Sequence, residues 1–96
     1  MGYHVVVTGA ARQETLDAYD YYEEARSGLG ETFLNELEYC YEKLCQNPSA
    51  YSYIDKRFTL RDMLIPRFPF VIVFKVIDEV VIVIAIRNTR RQPLVS

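Results

Sequence analysis

Two kinds of hydrophobic spacing divide the chain near residue 47. Between residues 11 and 46, apolar and small side chains recur every three or four positions, which is the period of an amphipathic helix. After residue 57, β-branched and aromatic residues form nearly continuous runs of the kind found in buried strands. A short β-branched run also opens the chain, at residues 3–8. The pattern therefore predicts the element order β-α-α-β-β-β.

The helical part contains two segments separated by a short break. Residues 11–26 place small residues and a tyrosine on one stripe, and residues 31–46 show a second stripe that ends at Asn47-Pro48, because proline cannot continue a helix. Gly28-Leu29-Gly30 breaks the pattern between them, which predicts an antiparallel helical hairpin. Acidic residues occupy the positions of a solvated face on the first helix: Glu14, Asp17, Asp20, Glu23 and Glu24.

Three strands are predicted at residues 58–65, 68–77 and 80–86, after a loop at residues 49–56. Pro66 and Pro69 mark the first turn between them, and Asp78-Glu79 marks the second. The last two strands are apolar at almost every position, so both of their faces should be covered: one by the helices, the other by a loop, a second copy or a partner peptide. We expect one α+β domain over residues 1–96, with the hairpin packed on a curved, mainly antiparallel sheet.

The net charge of −2 conceals an asymmetry between the two halves. Residues 1–46 carry 9 acidic and 3 basic side chains, a balance of −6, whereas residues 47–96 carry 4 acidic and 8 basic ones, a balance of +4. Such a division is compatible with a basic face that binds nucleic acid, and equally with an acidic helix pair beside a soluble basic sheet.

Most enzymatic signatures are absent from the sequence. It contains no glycine-rich phosphate loop, no HExxH and no CxxC pair, so we expect neither a metal nor a cofactor. His4 lies inside a predicted strand, and Cys40 and Cys45 fall on different faces of a predicted helix, too far apart in direction for a bridge. No signal peptide is recognisable and the longest apolar run is too short to span a bilayer, so we expect a cytoplasmic protein.

Arginine is the chemistry that remains. Six arginines lie in the β-rich half or just past its last strand: Arg57, Arg61, Arg67, Arg87, Arg90 and Arg91. A guanidinium matches the geometry of phosphate and can stabilise charge that develops during its transfer. If the first and last of the three strands share a sheet, Arg61 and Arg91 are candidates to face one groove and cleave RNA without a metal. The competing interpretation is that these arginines only keep the sheet edges soluble.

The segment RFPFVIVFKVIDEVVIVIAIRNTRRQP, residues 67–93, resembles the signature of the RelE/ParE superfamily of bacterial type II toxins. That signature has an RFPY-like start, a hairpin and an ending close to AxxHxxRxP. The first half is similar too, with the pair Tyr21-Tyr22, the GLG break and Asn47-Pro48 after the second helix. The similarity covers nearly the whole chain in matching order.

The resemblance implies a small toxin that a cognate antitoxin neutralises by wrapping it with a flexible segment. RelE-like members cut mRNA on the ribosome, whereas ParE-like members share the fold and inhibit DNA gyrase. On the nuclease interpretation, Arg61 and Arg91 are the catalytic residues. The substrate-binding positions that match the family are Arg67, Asn88 and Arg90.

Several positions depart from the RelE-like nucleases. The histidine common before the final arginine is Asn88 here, and a position that is arginine in some nucleases is Val71. No tyrosine follows Arg91 in the five residues that remain. These departures favour the ParE-like branch, a gyrase inhibitor. The alternative is a degenerate, non-catalytic interaction module that retains only antitoxin or partner binding.

Overall fold

The computed structural model of the protein describes residues 2–90. Two long helices follow a short first strand, and four further strands complete the sheet. In chain order the elements are β1 (His4–Val7), α1 (Gly9–Ala25), α2 (Leu29–Gln46), β2 (Tyr53–Asp55), β3 (Leu60–Leu64), β4 (Phe70–Ile77) and β5 (Val80–Asn88). Single 3-10 turns precede and follow β2, at Pro48–Ala50 and Lys56–Phe58.

The sheet has five strands in the order β1-β5-β4-β3-β2. β1 runs parallel to β5, and the other neighbours are antiparallel. The predicted α+β arrangement, a helical hairpin on a mainly antiparallel sheet, is therefore confirmed. The prediction of a continuous loop at residues 49–56 is wrong in one respect, because Tyr53–Asp55 forms an edge strand that pairs with β3. Three residues are too few to show an alternating pattern.

The helical hairpin is fixed by one carboxylate and two glycines. Gly28 has φ of 89°, in the left-handed region that glycine enters without strain. A side chain at Gly30 would collide with the Tyr19 ring, since an added Cβ would lie 2.8 Å from it. Glu23 accepts the backbone N–H groups of both glycines, at 2.9 and 3.0 Å. This carboxylate therefore caps the N-terminus of α2 and is not part of a solvated face.

Both helices cover the same face of the sheet, which we call the inner face. The core joins α1 and α2 to alternate residues of β3, β4 and β5. Its largest completely buried side chains are Phe33 on α2 and Phe74 on β4. α1 packs mainly against β5, while α2 reaches β1. The hydrophobic stripes of the sequence thus meet at this one interface.

The opposite face of the sheet, the outer face, has no helix on it within residues 2–90. Strand alternation places Val6, Leu64 and Ile77 there, and their side chains are 50%, 65% and 48% exposed. Val73 lies on the same outer face and is nevertheless buried. It is not part of the inner-face core that packs against the helices. Cover of the outer face by a second copy or a partner peptide stays a prediction.

A β-bulge explains why β5 is apolar without alternation. Val73 pairs with Ala85 and Phe74 pairs with Val83, so β5 has one extra residue, Ile84, at this point. Val81 and Val83 before the bulge, and Ile86 after it, all point inward as a result. The neighbouring β4–β5 turn needs no glycine, because Asp78 adopts φ of 55°, which aspartate tolerates better than most residues.

Alkaline conditions are expected to destabilise the fold through Cys40. Burial raises the pKa of this thiol from 9.0 to about 11. The folded state therefore keeps a proton that the unfolded state loses, and the free energy of unfolding falls by about 1.4 kcal/mol per pH unit between these values. Urea unfolding of the wild type and Cys40→Ala between pH 8.5 and 10.5 measures this slope. The variant should show the smaller decline, and equal declines would contradict the assignment to Cys40.

Candidate functional site

A groove of about 1330 Å³ lies between α1 and the end of β5. We call it the α1–β5 groove. One wall is α1 and the start of α2, and the other is the β3–β4 loop with the last residues of β5. Its lining comprises Glu14, Asp17, Ala18, Tyr21, Tyr22, Arg26, Leu29, Thr32, Arg67, Phe68, Pro69, Phe70, Ile86, Arg87, Asn88 and Arg90.

Four aromatic rings form the floor of the groove and the core beneath it. The Tyr22 ring lies 4.9 Å from that of Phe68, and Phe33 packs under both, 5.6 and 5.2 Å from them between centroids. Phe70 completes the cluster, 5.4 Å from Phe33. Three of these contacts are edge-on and that of Tyr22 with Phe33 is tilted, and such aromatic pairs add stability beyond the apolar area that they bury. The pair Tyr21-Tyr22 and the RFPF motif of the sequence therefore meet here.

The hydroxyl of Tyr22 is suited to binding more than to catalysis. Burial raises its pKa above the usual 10.0, and the neighbouring Tyr21 adds to the effect, while Arg90 opposes it. The phenol therefore stays protonated at neutral pH and can donate a hydrogen bond. A tyrosine in this state is not a general base, since the phenolate is disfavoured.

Positive charge is concentrated at one end of the groove. Arg67 on the β3–β4 loop pairs with Glu36 on α2, with Nε 3.2 Å from the carboxylate oxygen. Arg26, Arg87 and Arg90 line the same end and form no salt bridge with a carboxylate in the described part of the chain. Arg26 and Arg90 add uncompensated positive charge beside the aromatic floor, and Arg87, the cross-strand partner of Val71, adds it at the edge of the groove. Together they provide a binding surface for an acidic and apolar segment.

On the β5 side of the groove, part of the strand has no neighbouring strand. β1 stops at Val7, opposite Val83, so the later part of β5 has no strand beside it on that side. Thr8 and Glu14 replace the missing strand: the Thr8 hydroxyl donates to the carbonyl of Ile84, and Glu14 Oε1 accepts the N–H of Ile86 at 2.8 Å. Glu14 is thus a structural residue that ties α1 to β5, and not a solvated one.

Removal of the hydrogen bond between Glu14 and the N–H of Ile86 is expected to lower the stability of the groove wall. Glu14→Ala leaves the N–H of Ile86 without a partner in a part-buried position, which typically costs about 1–3 kcal/mol. Chemical denaturation measures the loss of stability, and amide hydrogen exchange locates it at Ile86. Asp17→Ala on the same helix is the control, since Asp17 contacts only the side chain of Gln13 and should change stability by less than about 0.5 kcal/mol. Equal losses in the two variants would contradict the structural role of Glu14.

The structure brings together three of the residues predicted from the sequence. Arg67, Asn88 and Arg90 all line the α1–β5 groove. Asn88 uses its side-chain oxygen to accept the backbone N–H of Arg90 at 2.8 Å, so it shapes the chain beyond β5. The predicted catalytic residue Arg91 lies outside the described residues. Whether any of these side chains binds a substrate stays a prediction.

Arg61 lies outside the groove, on β3 toward the β2 edge of the sheet. Its partner in β4 is Phe74, whereas the partner of Asn88 is Phe70. Four residues along the strand and two strand spacings put Arg61 and Asn88 roughly 17 Å apart between Cα atoms. The guanidinium of Arg61 donates to the carbonyl oxygens of Ser49 and Tyr51 and lies 3.9 Å above the Tyr53 ring. One terminal nitrogen of Arg61 therefore holds the segment before β3, and the other nitrogens make no hydrogen bond within residues 2–90.

Three residues of the groove have roles that the sequence pattern does not indicate. No sequence pattern distinguishes Glu14, because an acidic residue on a helix ordinarily faces water. In the sequence, Tyr22 is the tyrosine of the stripe on the first helix and one half of a tyrosine pair, and Phe68 is part of the RFPF motif. Their contact depends on how the hairpin lies across the sheet, which periodicity does not specify.

Other kinds of site receive no support from the described residues. Within residues 2–90, no three histidine, cysteine, aspartate or glutamate side chains come close enough to hold a metal ion. None of the helices in that range is long and apolar enough to cross a membrane. Cys40 and Cys45 are both free thiols.

Comparison with known proteins places this geometry in context. Residues 5–93 match the model of a protein family described as "ParE toxin of type II toxin-antitoxin system, parDE". Among solved structures, a chain of the "Chromosomal ParDE TA system from P. aeruginosa" superposes with a TM-score of 0.79 at 16% sequence identity. The match covers 90% of this chain and 95% of that one. No curated protein sequence matches.

Proposed function

Because the chain belongs to the ParE toxin family of type II toxin–antitoxin systems, we propose that it arrests growth by inhibiting DNA gyrase and that its antitoxin occupies the α1–β5 groove. The protein is the toxin component of such a module, and an antitoxin is therefore its partner. The choice of gyrase over ribosome-bound mRNA is the proposal, and it is supported by the positions of the arginines.

The observation that carries the gyrase proposal is the separation of the residues that a nuclease would need together. Metal-independent cleavage of RNA requires several cationic groups around one phosphate. Arg61 lies two residues from Met63 on β3, so both side chains are on the inner face. Val71, which occupies the position of an arginine in some nucleases, pairs with Leu64 on the outer face. The two positions thus lie on opposite faces of the sheet. On the outer face Val71 has one cation beside it, its cross-strand partner Arg87, and Arg61 is not on that face.

The groove is proposed as the antitoxin site on grounds of charge and shape. The aromatic floor offers an anchoring site for apolar side chains, and Tyr21, which is 69% exposed at the rim, adds a further aromatic contact. The arginines at one end favour carboxylates. Beyond Ile86, whose N–H Glu14 accepts, β5 continues to Asn88 with no strand on the β1 side, which leaves room for an extended segment there.

A cytoplasmic location follows from the same proposal. Gyrase acts on the chromosome, so its inhibitor must be present where the chromosome is.

The nuclease branch has a direct test in a translating ribosome mixture. Primer extension on a translated message, with and without the purified toxin, maps any cuts. We expect no cuts when the toxin is added at the concentration that arrests growth on expression in cells. Cuts that appear only on translated message would overturn the gyrase proposal and return Arg61 and Arg91 to the centre of the mechanism. A sample that neither cuts message nor arrests growth would instead identify a non-catalytic binding module, contrary to the proposal.

A further inference from the structure

The hairpin of β2 and β3 carries an unusual surface at the edge of the sheet. Four of the five phenylalanines are buried, whereas Phe58 is 58% exposed at the tip of this hairpin. Tyr53 and Ile54 on the edge strand are also exposed, at 42% and 49%. We call the surface made by Tyr53, Lys56, Arg57, Phe58 and Arg61 the edge patch. Solvent exposure of this many large apolar side chains in so short a segment indicates a binding surface.

Cations accompany both exposed rings of the edge patch. The guanidinium of Arg57 lies 5.2 Å from the centre of the Phe58 ring, and that of Arg61 lies 3.9 Å from the centre of the Tyr53 ring. Residues 53–61 hold three basic side chains and one acidic one, Asp55. The segment is therefore positive on a chain whose net charge is −2.

The tip of the hairpin has a defined conformation. Asp55 accepts the backbone N–H of Arg57 at 3.0 Å, and Thr59 closes the turn with φ of 54°. Arg61 is held in turn by the carbonyl groups before β2. The backbone of the tip and the Arg61 side chain are thus ordered before a ligand binds, which lowers the entropy cost of binding.

We propose that the edge patch binds a single strand of nucleic acid, with unpaired bases stacked on Phe58 and Tyr53 and phosphates held by Lys56, Arg57 and Arg61. Sequence-tolerant single-strand binding combines these two elements, aromatic faces for the bases and cations for the backbone. The local excess of positive charge favours a polyanion. The inference does not depend on whether gyrase is the target of the toxin.

The edge patch is separate from the proposed antitoxin site. β2 is the last strand at one edge of the sheet, and the α1–β5 groove lies against β5, three strand positions away. Neither Tyr53 nor Phe58 lines the groove. A strand held at the edge patch would therefore leave the groove open.

Fluorescence anisotropy of the full-length toxin with labelled 12-nucleotide strands tests the proposal. The probes are oligodeoxythymidine, oligouridine and a DNA duplex of equal length, each over a series of salt concentrations. We expect the single strands to bind more tightly than the duplex. Neutralisation of three phosphates predicts a slope of log K against log salt of about −2. Phe58→Ala should weaken single-strand binding by about tenfold, since stacking on one aromatic ring contributes about that much.

Three variants separate stacking from other causes. Phe58→Tyr should retain binding and Phe58→Leu should lose it, because leucine keeps the apolar volume without the flat ring. Tyr39→Ala is the matched control: Tyr39 is 50% exposed with Lys43 5.2 Å from its ring centre, but lies on the acidic helix α2. It should leave affinity unchanged. Absence of binding to both single strands, equal binding to duplex, full binding by Phe58→Leu, or equal losses in Tyr39→Ala and Phe58→Ala would overturn the proposal.

Discussion

Phe33→Ala is expected to lower the free energy of unfolding by about 3–5 kcal/mol, the usual cost of emptying a buried phenylalanine site. Phe33 is completely buried and contacts the rings of Tyr22, Phe68 and Phe70 at once. A loss of this size is a large part of the roughly 5–15 kcal/mol that stabilises a typical domain. Because these rings form the groove floor, antitoxin affinity should fall with stability.

Phe58→Ala is the control for this prediction. The same side chain is removed, but from an exposed position at the far edge of the sheet, so the free energy of unfolding should change by less than about 0.5 kcal/mol. Urea denaturation followed by circular dichroism measures both variants. Similar losses in the two, or an effect of Phe33→Ala below about 1 kcal/mol, would show that the aromatic cluster does not support the fold as described.

Reversal of two charges in the groove is expected to weaken the antitoxin complex by about 100-fold or more. Arg87 and Arg90 line the groove and have no carboxylate partner within residues 2–90. In the double variant Arg87→Glu, Arg90→Glu, acidic groups of the partner meet like charges, and such juxtapositions cost several kcal/mol at an interface. Calorimetric titration with the cognate antitoxin gives the change in Kd.

The double variant Lys56→Glu, Arg57→Glu controls for net charge. It makes the same change in total charge on the edge patch, and the antitoxin affinity should stay within about threefold of the wild type at moderate salt, because screening limits such interactions to about 10 Å. Equal weakening by both double variants would mean that the antitoxin responds to overall charge, and the groove would lose its assignment.

The architecture was accessible from the sequence because its signals are local. A step of three or four residues identifies each helix, and GLG between them supplies both a left-handed residue, Gly28, and a close approach at Gly30. The strands follow from β-branched runs between proline and acidic turns. The sequence pattern does not predict β2, because this strand has only three residues and owes its conformation to pairing with β3.

The site was less accessible because it depends on register. The sequence identifies the arginines but not the faces on which they lie. Arg61 and Val71 differ by an even number of positions, yet a turn between their strands and a left-handed residue at Arg67 put them on opposite faces. The bulge at Ile84 similarly breaks the alternation of β5. No composition-based argument specifies such one-residue shifts, and a shift of one residue reverses every later side chain.

Two acidic residues illustrate the same limit. Glu14 and Glu23 fit the pattern of a solvated helix face, yet each accepts backbone N–H groups from another element. Their roles arise from groups left unpaired elsewhere: the N-terminus of α2 and the edge of β5 beyond β1. Sequence periodicity carries no information about those unpaired groups.

Supercoiling of relaxed plasmid by purified gyrase, with the toxin alone and with the toxin pre-bound to its antitoxin, tests the central claim most directly. We expect the toxin alone to abolish supercoiling and the antitoxin to restore it, with the Arg87→Glu, Arg90→Glu toxin still inhibiting at antitoxin concentrations that silence the wild type. Full supercoiling in the presence of toxin that arrests growth would contradict gyrase as the target.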